Sequence, residues 1–198
     1  MIGLLDYGAG NLRSISQAFT YLGFKTRLIS SPDEIKRISR LVIPGVGSFG
    51  PAIIQLRKRN LKPLIDEWIS SSHPLLGICL GLQLLTEGSE ESPEEKGLAV
   101  FEGKCKKLTA KKVPQIGWNR VQLIKEDQIF QGLPEPVFFY FVHSYSLMNI
   151  SSSTIAITEY GQAFSSVLRQ ANIYACQFHP EKSGEAGLLF LKNWVEKC

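Results

Sequence analysis

The chain has 198 residues, 44% of them hydrophobic, and a formal net charge of +4. That length can bury a sizeable core in one domain, and so modest a charge gives no support for a nucleic-acid surface. The basic runs at 57–59 and 104–112 lack interleaved aromatics and read as solvated faces, the second also suiting an acidic partner surface. Cys79, Cys105, Cys176 and Cys198 show no C-x-x-C spacing, so zinc is unsupported, and no cofactor is expected. Asp6 interrupts the N-terminal apolar stretch and no apolar run is long enough to span a membrane, so the expected location is the cytoplasm, with free thiols.

In chain order, the pattern predicts a strand over 2–6, a helix over 12–22 and a strand over 25–29. Gly8-Ala9-Gly10 follows the first strand, but Arg13 stands where a dinucleotide loop needs its third glycine. Ser31-Pro32-Asp33-Glu34 has the form of a capping box with proline at the first helical position. A third strand at 41–43, a helical stretch to about 70 and a strand over 74–77 follow, then a short helix. The acidic segment 87–96 reads as a surface loop. Beyond residue 100 the pattern turns to short strands at 121–124, 137–142, 155–158, 163–168 and 173–177, closed by an amphipathic helix over 185–195. The expected fold is α/β: one flavodoxin-like domain over 1–198, a doubly wound, mostly parallel sheet with an antiparallel extension in its second half.

Three segments carry chemistry. Gly77-Ile78-Cys79-Leu80-Gly81 lies between an apolar strand and a helical run, and its glycines permit the crowded turn that projects a nucleophile from a sheet. A thiol there sits at a helix N-terminus, which favours its anion, and the next N–H can serve an oxyanion. A small buried cysteine filling a strand end is the plainer alternative. Gln177-Phe178-His179-Pro180-Glu181 follows another apolar run, and in an extended segment His179 and Glu181 project to one side. A carboxylate can then orient an imidazole that faces the thiol, the logic of a Cys-His-Glu triad, although alone the segment is also an ordinary turn. Pro44-Gly45-Val46-Gly47-Ser48-Phe49-Gly50 follows the third strand and suits either a second oxyanion donor or a tight turn; no Walker-type Lys-Ser/Thr follows it. His73, His143 and His179 do not form a metal set, since His73 precedes Pro74 in a turn-like context.

Together these motifs resemble the class I (triad) glutamine amidotransferases. Within that class, the opening Asp6-Tyr7-Gly8-Ala9-Gly10-Asn11-Leu12-Arg13-Ser14 is similar to one branch, the glutaminase subunits of imidazole glycerol phosphate synthases. Pro114 with Gly117-Trp118-Asn119, and Tyr140-Phe141-Val142-His143-Ser144-Tyr145, match the same branch. The resemblance covers the whole chain. It implies glutamine hydrolysis through a thioester on Cys79, with His179 as base and then acid and Glu181 orienting it. The ammonia would pass to a cyclase subunit, a (β/α)8 barrel, in histidine biosynthesis. The resemblance also implies an oxyanion hole from Leu80 and the Val46-Gly47 loop, and a glutamine site from Gln83 with backbone near Ser144 and Tyr145. It further places Gln115, Trp118, Asn119, Tyr140, His143 and Lys182 near the subunit interface, and has the glutaminase nearly idle until its partner binds ligand. Gln115 departs from the histidine expected after Val-Pro in many relatives, which bears on the partner contact and not on the triad. Three rival expectations keep the fold: a paralogue feeding a surface-sugar amidating enzyme, a free-standing hydrolase of γ-glutamyl peptides, and a non-catalytic subunit.

Overall fold

The computed structural model describes residues 1–8 and 10–198; Ala9, within the opening motif, lies outside them. Its centre is a nine-stranded sheet. The parallel half comprises β1 (Ile2–Leu5), β2 (Thr26–Ile29), β3 (Arg40–Ile43), β4 (Leu75–Ile78) and β12 (Ile173–Cys176), in the order β2-β1-β3-β4-β12. This is the flavodoxin-like order. The sheet continues antiparallel through β11 (Gln162–Gln170), β10 (Thr154–Tyr160), β7 (Gln115–Leu123) and β8 (Val137–His143).

Helices cover both faces of the parallel half. On one side α1 (Leu12–Tyr21) and α5 (Gly184–Lys197) bury Phe19, Phe190 and Trp194 in a core shared with Val42 and Leu76. On the other, α2 (Phe49–Lys58) and α3 (Lys62–Ser70) bury Leu56, Ile65 and Trp68 against Leu41, Ile43 and Leu75. Alternate residues of β3 and β4 thus feed opposite cores, as the two-residue strand period requires.

The structure departs from the sequence pattern in four places. The capping-box segment forms a 3-10 helix over Pro32–Arg37: Glu34 accepts from the Ser30 and Ser31 amides, but strand β3 begins three residues later. The expected stretch to 70 is two helices, because Asn60 takes a left-handed conformation that ends α2 and Pro63 opens α3. The expected loop at 87–96 instead begins inside β5 (Thr86–Ser89), with Gly88 and Ser89 buried. That strand pairs with β6 (Phe101–Lys107), which pairs with β9 (Tyr145–Leu147), in a three-stranded sheet absent from the sequence reading. Strand β6 alternates buried Phe101 and Cys105 with exposed charged residues, a pattern masked by its lysines. Finally, β7 starts at Gln115 rather than 121, because its polar residues pair along the whole of β8.

The turn from β4 into α4 (Leu80–Leu84) depends on contact between backbones. A Cβ on Gly81 would lie 1.8 Å from the Ile43 carbonyl oxygen in β3. One on Gly77 would lie 2.9 Å from the Gly81 carbonyl group. The β7–β8 hairpin has a second polar constraint: Gln115 and His143 are register partners, both buried. His143 Nδ1 lies 3.0 Å from the Tyr145 carbonyl oxygen and Nε2 lies 3.0 Å from the position assigned to Gln115 Oε1. Burial pushes the His143 pKa down to about 4; the Tyr145 bond opposes the shift and the charge of His179 adds to it. A neutral ring donates through Nδ1 to the Tyr145 carbonyl, so Nε2 accepts, and the Gln115 amide is then reversed from its assigned orientation so that its NH₂ faces the ring.

Two outcomes follow. Gly81→Ala must displace β3 or α4, and should cost about 3 kcal/mol, read as a drop of about 10 °C in a thermal melt. His143 resists protonation when folded, so between pH 6.5 and 4 the unfolded chain binds a proton that the native chain does not. Stability falls as pH drops through that window, by about 3 kcal/mol from this residue. Urea unfolding of wild type and His143→Gln at pH 7 and pH 4 should show the variant losing less stability by about that amount.

Candidate active site

Cys79 joins β4 to α4 with φ +52° and ψ −104°, a conformation that L residues rarely adopt and that costs about 1–3 kcal/mol. Backbone bonds hold it there: its N–H donates to Cys176 in the adjacent β12 at 2.8 Å, and its carbonyl accepts from Gln83 at 3.2 Å. The thiol points toward the Val142 carbonyl oxygen at 3.9 Å and receives the Gln177 side-chain amide at 3.5 Å. Leu80, the first residue of α4, has an amide that the helix itself cannot pair.

The chain leaves β12 past His179 into a 3-10 turn over Pro180–Lys182. His179 Nδ1 donates to Glu181 Oε1 at 2.8 Å, and both side chains are almost wholly shielded from solvent. Nε2 is buried without an aligned hydrogen bond, and Cys79 lies close enough that its charge and its hydrogen-bonding capacity both favour the protonated ring. Burial alone would lower the His179 pKa, but the neighbouring Cys79 and Glu181 outweigh it and push the value up to about 10. The structure therefore brings Cys79, His179 and Glu181 together.

The sequence reading missed a fourth member. Asn11 Nδ2 donates at 3.0 Å to the Glu181 oxygen that also accepts from His179. Asn11 lies in the opening motif, at the N-cap of α1, but no local pattern ties it to a carboxylate 170 positions away. Ser183 is a second omission. Its hydroxyl donates to the His179 carbonyl at 2.7 Å and accepts from the Tyr140 amide at 2.9 Å, while the His179 amide donates to the Tyr140 carbonyl at 2.9 Å. The imidazole-bearing turn is thereby bonded to β8.

A cavity of about 280 Å³ opens over the thiol, lined by Val46, Gly47, Leu80, Gln83, Ser144 and Tyr145, together with Glu91, Pro114, Val142 and His143. The glycine loop is fixed at its base and free at its tip. Tyr7 donates to the Pro44 carbonyl at 2.5 Å, and a Cβ on Gly45 would meet that phenol; Gly47 at φ +111° has no atom within 4 Å of a Cβ position. Tyr7 is buried, which, with the nearby Cys79 charge, holds its pKa far above the phenol range. Gln83 Nε2 donates to the Tyr145 carbonyl at 2.9 Å. Glu91, from the segment read as a surface loop, reaches the cavity and accepts from the Phe49 amide at 2.8 Å. Among the described residues, its side chain alone brings a carboxylate to that lining. Among the described residues no cluster of His, Cys, Asp and Glu could hold a metal, and no helix is long and apolar enough to cross a membrane.

The six residues grouped as an interface fall on two faces of the β7–β8 hairpin and one turn. Trp118 and Tyr140 are register partners with rings edge to face at 6.3 Å, and Trp118 is 57% exposed. Lys182 is exposed on the adjoining turn. Asn119 donates to the Glu159 carbonyl at 2.8 Å on the other side of β7, and Gln115 and His143 are buried against each other. Exposed Ile116 and Phe138 extend the Trp118 face.

The family model for glutamine amidotransferase class-I matches residues 3–198. The imidazole glycerol phosphate synthase subunit HisH of Chlorobaculum tepidum is 44% identical over 200 residues, covering 99% of this chain and 100% of that protein. The protein of the same name from Methanocaldococcus jannaschii is 42% identical over 197 residues, covering 99% of each chain. Among solved structures, PurLQS from Thermotoga maritima superposes with a TM-score of 0.79 at 16% identity, covering 98% of this chain and 96% of that one. A glutamine amidotransferase crystal structure gives 0.77 at 18% identity and covers 98% of each. The two solved structures speak for the fold, and the family match spans nearly the whole sequence: the chain belongs to the class-I glutamine amidotransferase family.

Proposed function

We propose that this chain is the glutaminase subunit of an imidazole glycerol phosphate synthase, a single catalytic domain over 1–198 acting in the cytoplasm. The observation that carries the reading is the buried His179–Glu181 pair beside Cys79, whose thiol lines a cavity of about 280 Å³ that Glu91 also reaches. The 42–44% identical relatives direct it to this synthase rather than another.

Glutamine enters with its α-ammonium toward Glu91 and its side-chain amide toward Gln83 and the backbone at Ser144 and Tyr145. The Cys79 sulfur attacks the δ-carbonyl carbon, and the carbonyl electron pair moves onto oxygen, toward the Leu80 amide and an amide of the Val46-Gly47 loop. Collapse of that oxyanion breaks the C–N bond. His179, whose raised pKa of about 10 keeps it protonated at neutral pH, supplies the proton with which ammonia departs. The thioester is then attacked by water as His179 takes the proton back; the C–S bond breaks and glutamate leaves. Glu181 holds the ring through Nδ1, and Asn11 holds Glu181.

Ammonia passes to the cyclase subunit, a (β/α)8 barrel, where it reacts with a phosphoribulosyl-formimino intermediate to give imidazole glycerol phosphate and an aminoimidazole carboxamide ribotide. Trp118, Tyr140 and Lys182, with Ile116 and Phe138, form the contact face. Asn119, Gln115 and His143 support it from within the hairpin.

Cys79→Ala should reduce glutamine hydrolysis to background while the complex keeps its synthesis from free ammonia; loss of both would assign Cys79 a structural role. Glutamate release at saturating glutamine should rank the positioning residues. His179→Ala should fall furthest, Glu181→Gln less, and Asn11→Ala by about tenfold, since a bond to a charged group is lost one step from the reacting atoms. An Asn11→Ala variant with unchanged kcat would remove Asn11 from the site.

A further inference from the structure

The sulfur of Cys79 has a polar neighbour that the triad does not include. Gln177 is fully buried, immediately after β12, and its Nε2 lies 3.5 Å from Cys79 Sγ. Strand parity explains the aim: Gln177 and His179 share one side of an extended segment. Phe178, between them, points the other way and stacks on Phe139 at 3.9 Å.

The direction of the Gln177 amide is fixed by a chain of bonds beginning at a group that cannot be reversed. The Tyr145 carbonyl only accepts, so the Gln83 amide must present Nε2 to it, at 2.9 Å. The same Nε2 lies 3.4 Å from Gln177 Oε1, which accepts its second hydrogen. Gln177 is left with its NH₂ toward sulfur.

We propose that Gln177 is a catalytic residue that donates a hydrogen bond to the Cys79 thiolate, held in register for it by Gln83. The inference rests on the glutaminase reading above. Its chemical use is twofold. Before attack, the bond favours the anionic sulfur over the thiol. During deacylation, as the C–S bond breaks and its electron pair returns to sulfur, the same N–H meets the developing charge and speeds departure. Gln83, which lines the cavity where substrate enters, also orients the group that tunes the nucleophile, so substrate positioning and sulfur ionisation share one amide.

The titration of Cys79 is the readout, and several groups face it: His179 and Glu181 after β12, Cys176 within β12, Tyr7 after β1, Glu91 after β5, Cys105 in β6 and His143 in β8. None is altered by the substitutions below. The full chain is alkylated with iodoacetamide from pH 4 to 10, with modification at Cys79 followed by peptide mass spectrometry. Gln177→Met keeps the side-chain length and removes the donor. It should raise the midpoint of Cys79 alkylation by about one pH unit and lower kcat about tenfold, with ammonia-dependent synthesis by the complex retained. Gln83→Leu frees the Gln177 amide to turn and should raise the midpoint by a smaller amount, which tests the relay even where Gln177→Met does not fold. Midpoints unchanged in both variants would overturn the proposal and leave the triad standing. Failure of wild-type Cys79 to react before Cys198 at any pH would instead overturn the glutaminase reading, and this inference with it.

Discussion

The approach of α4 to β3 at Gly81 is the contact from which the site is built. With a carbonyl oxygen 1.8 Å from the Cβ position, only glycine lets the helix start so close to the neighbouring strand. That closeness forces the sharp turn at Cys79, places its sulfur at the carboxyl edge of the sheet and leaves Leu80 in the lining of the cavity. The positive φ of Cys79 is the local cost. It is offset by the two backbone bonds to Cys176 and Gln83, and by the apolar packing of Ile78, Leu82 and Leu84 around the elbow.

The two halves of the sheet divide the chemistry. The parallel half supplies the nucleophile from β4 and the glycine loop from β3; the antiparallel half supplies the wall of the cavity from β8. Strand β12 belongs to both, pairing parallel with β4 and antiparallel with β11, and it ends by delivering Gln177 and His179 to the sulfur. Ser183 then bonds the His179 turn to Tyr140, whose ring sits beside exposed Trp118. A partner docking on that face would press on a strand that is one hydrogen bond from the His179 backbone, a continuous physical route between that face and the triad.

Local signals made the parallel half legible. Apolar runs ending at glycine placed β1, β3, β4 and the elbow within a residue or two, and the His179–Glu181 spacing placed two side chains on one face because strand parity leaves no alternative. The small sheet was hidden for an equally physical reason: β9 is only three residues long, lysines fill the outward positions of β6, and β5 lies in a run of acids. Asn11, Glu91 and Ser183 were out of reach because their roles depend on contacts across the fold rather than on neighbours in sequence. The Gln177 amide was visible as a residue, but its orientation depends on a carbonyl 32 positions away. The six interface residues rest on the family resemblance, which carries no burial; alternation along β7 and β8 turns Gln115 and His143 inward and Trp118 outward.

The proposed coupling of this site to a cyclase is open to direct test. The direct measurement is glutamate release from glutamine by the purified chain alone, then with the histidine-pathway cyclase, then with that cyclase and its ribonucleotide ligand. Slow release alone and a large increase, on the order of 10²-fold or more, with cyclase and ligand together is the expected result, given one catalytic group presented or withdrawn at the Val46-Gly47 loop. Full activity from the chain alone, indifferent to cyclase and ligand, would contradict the account and identify a free-standing hydrolase.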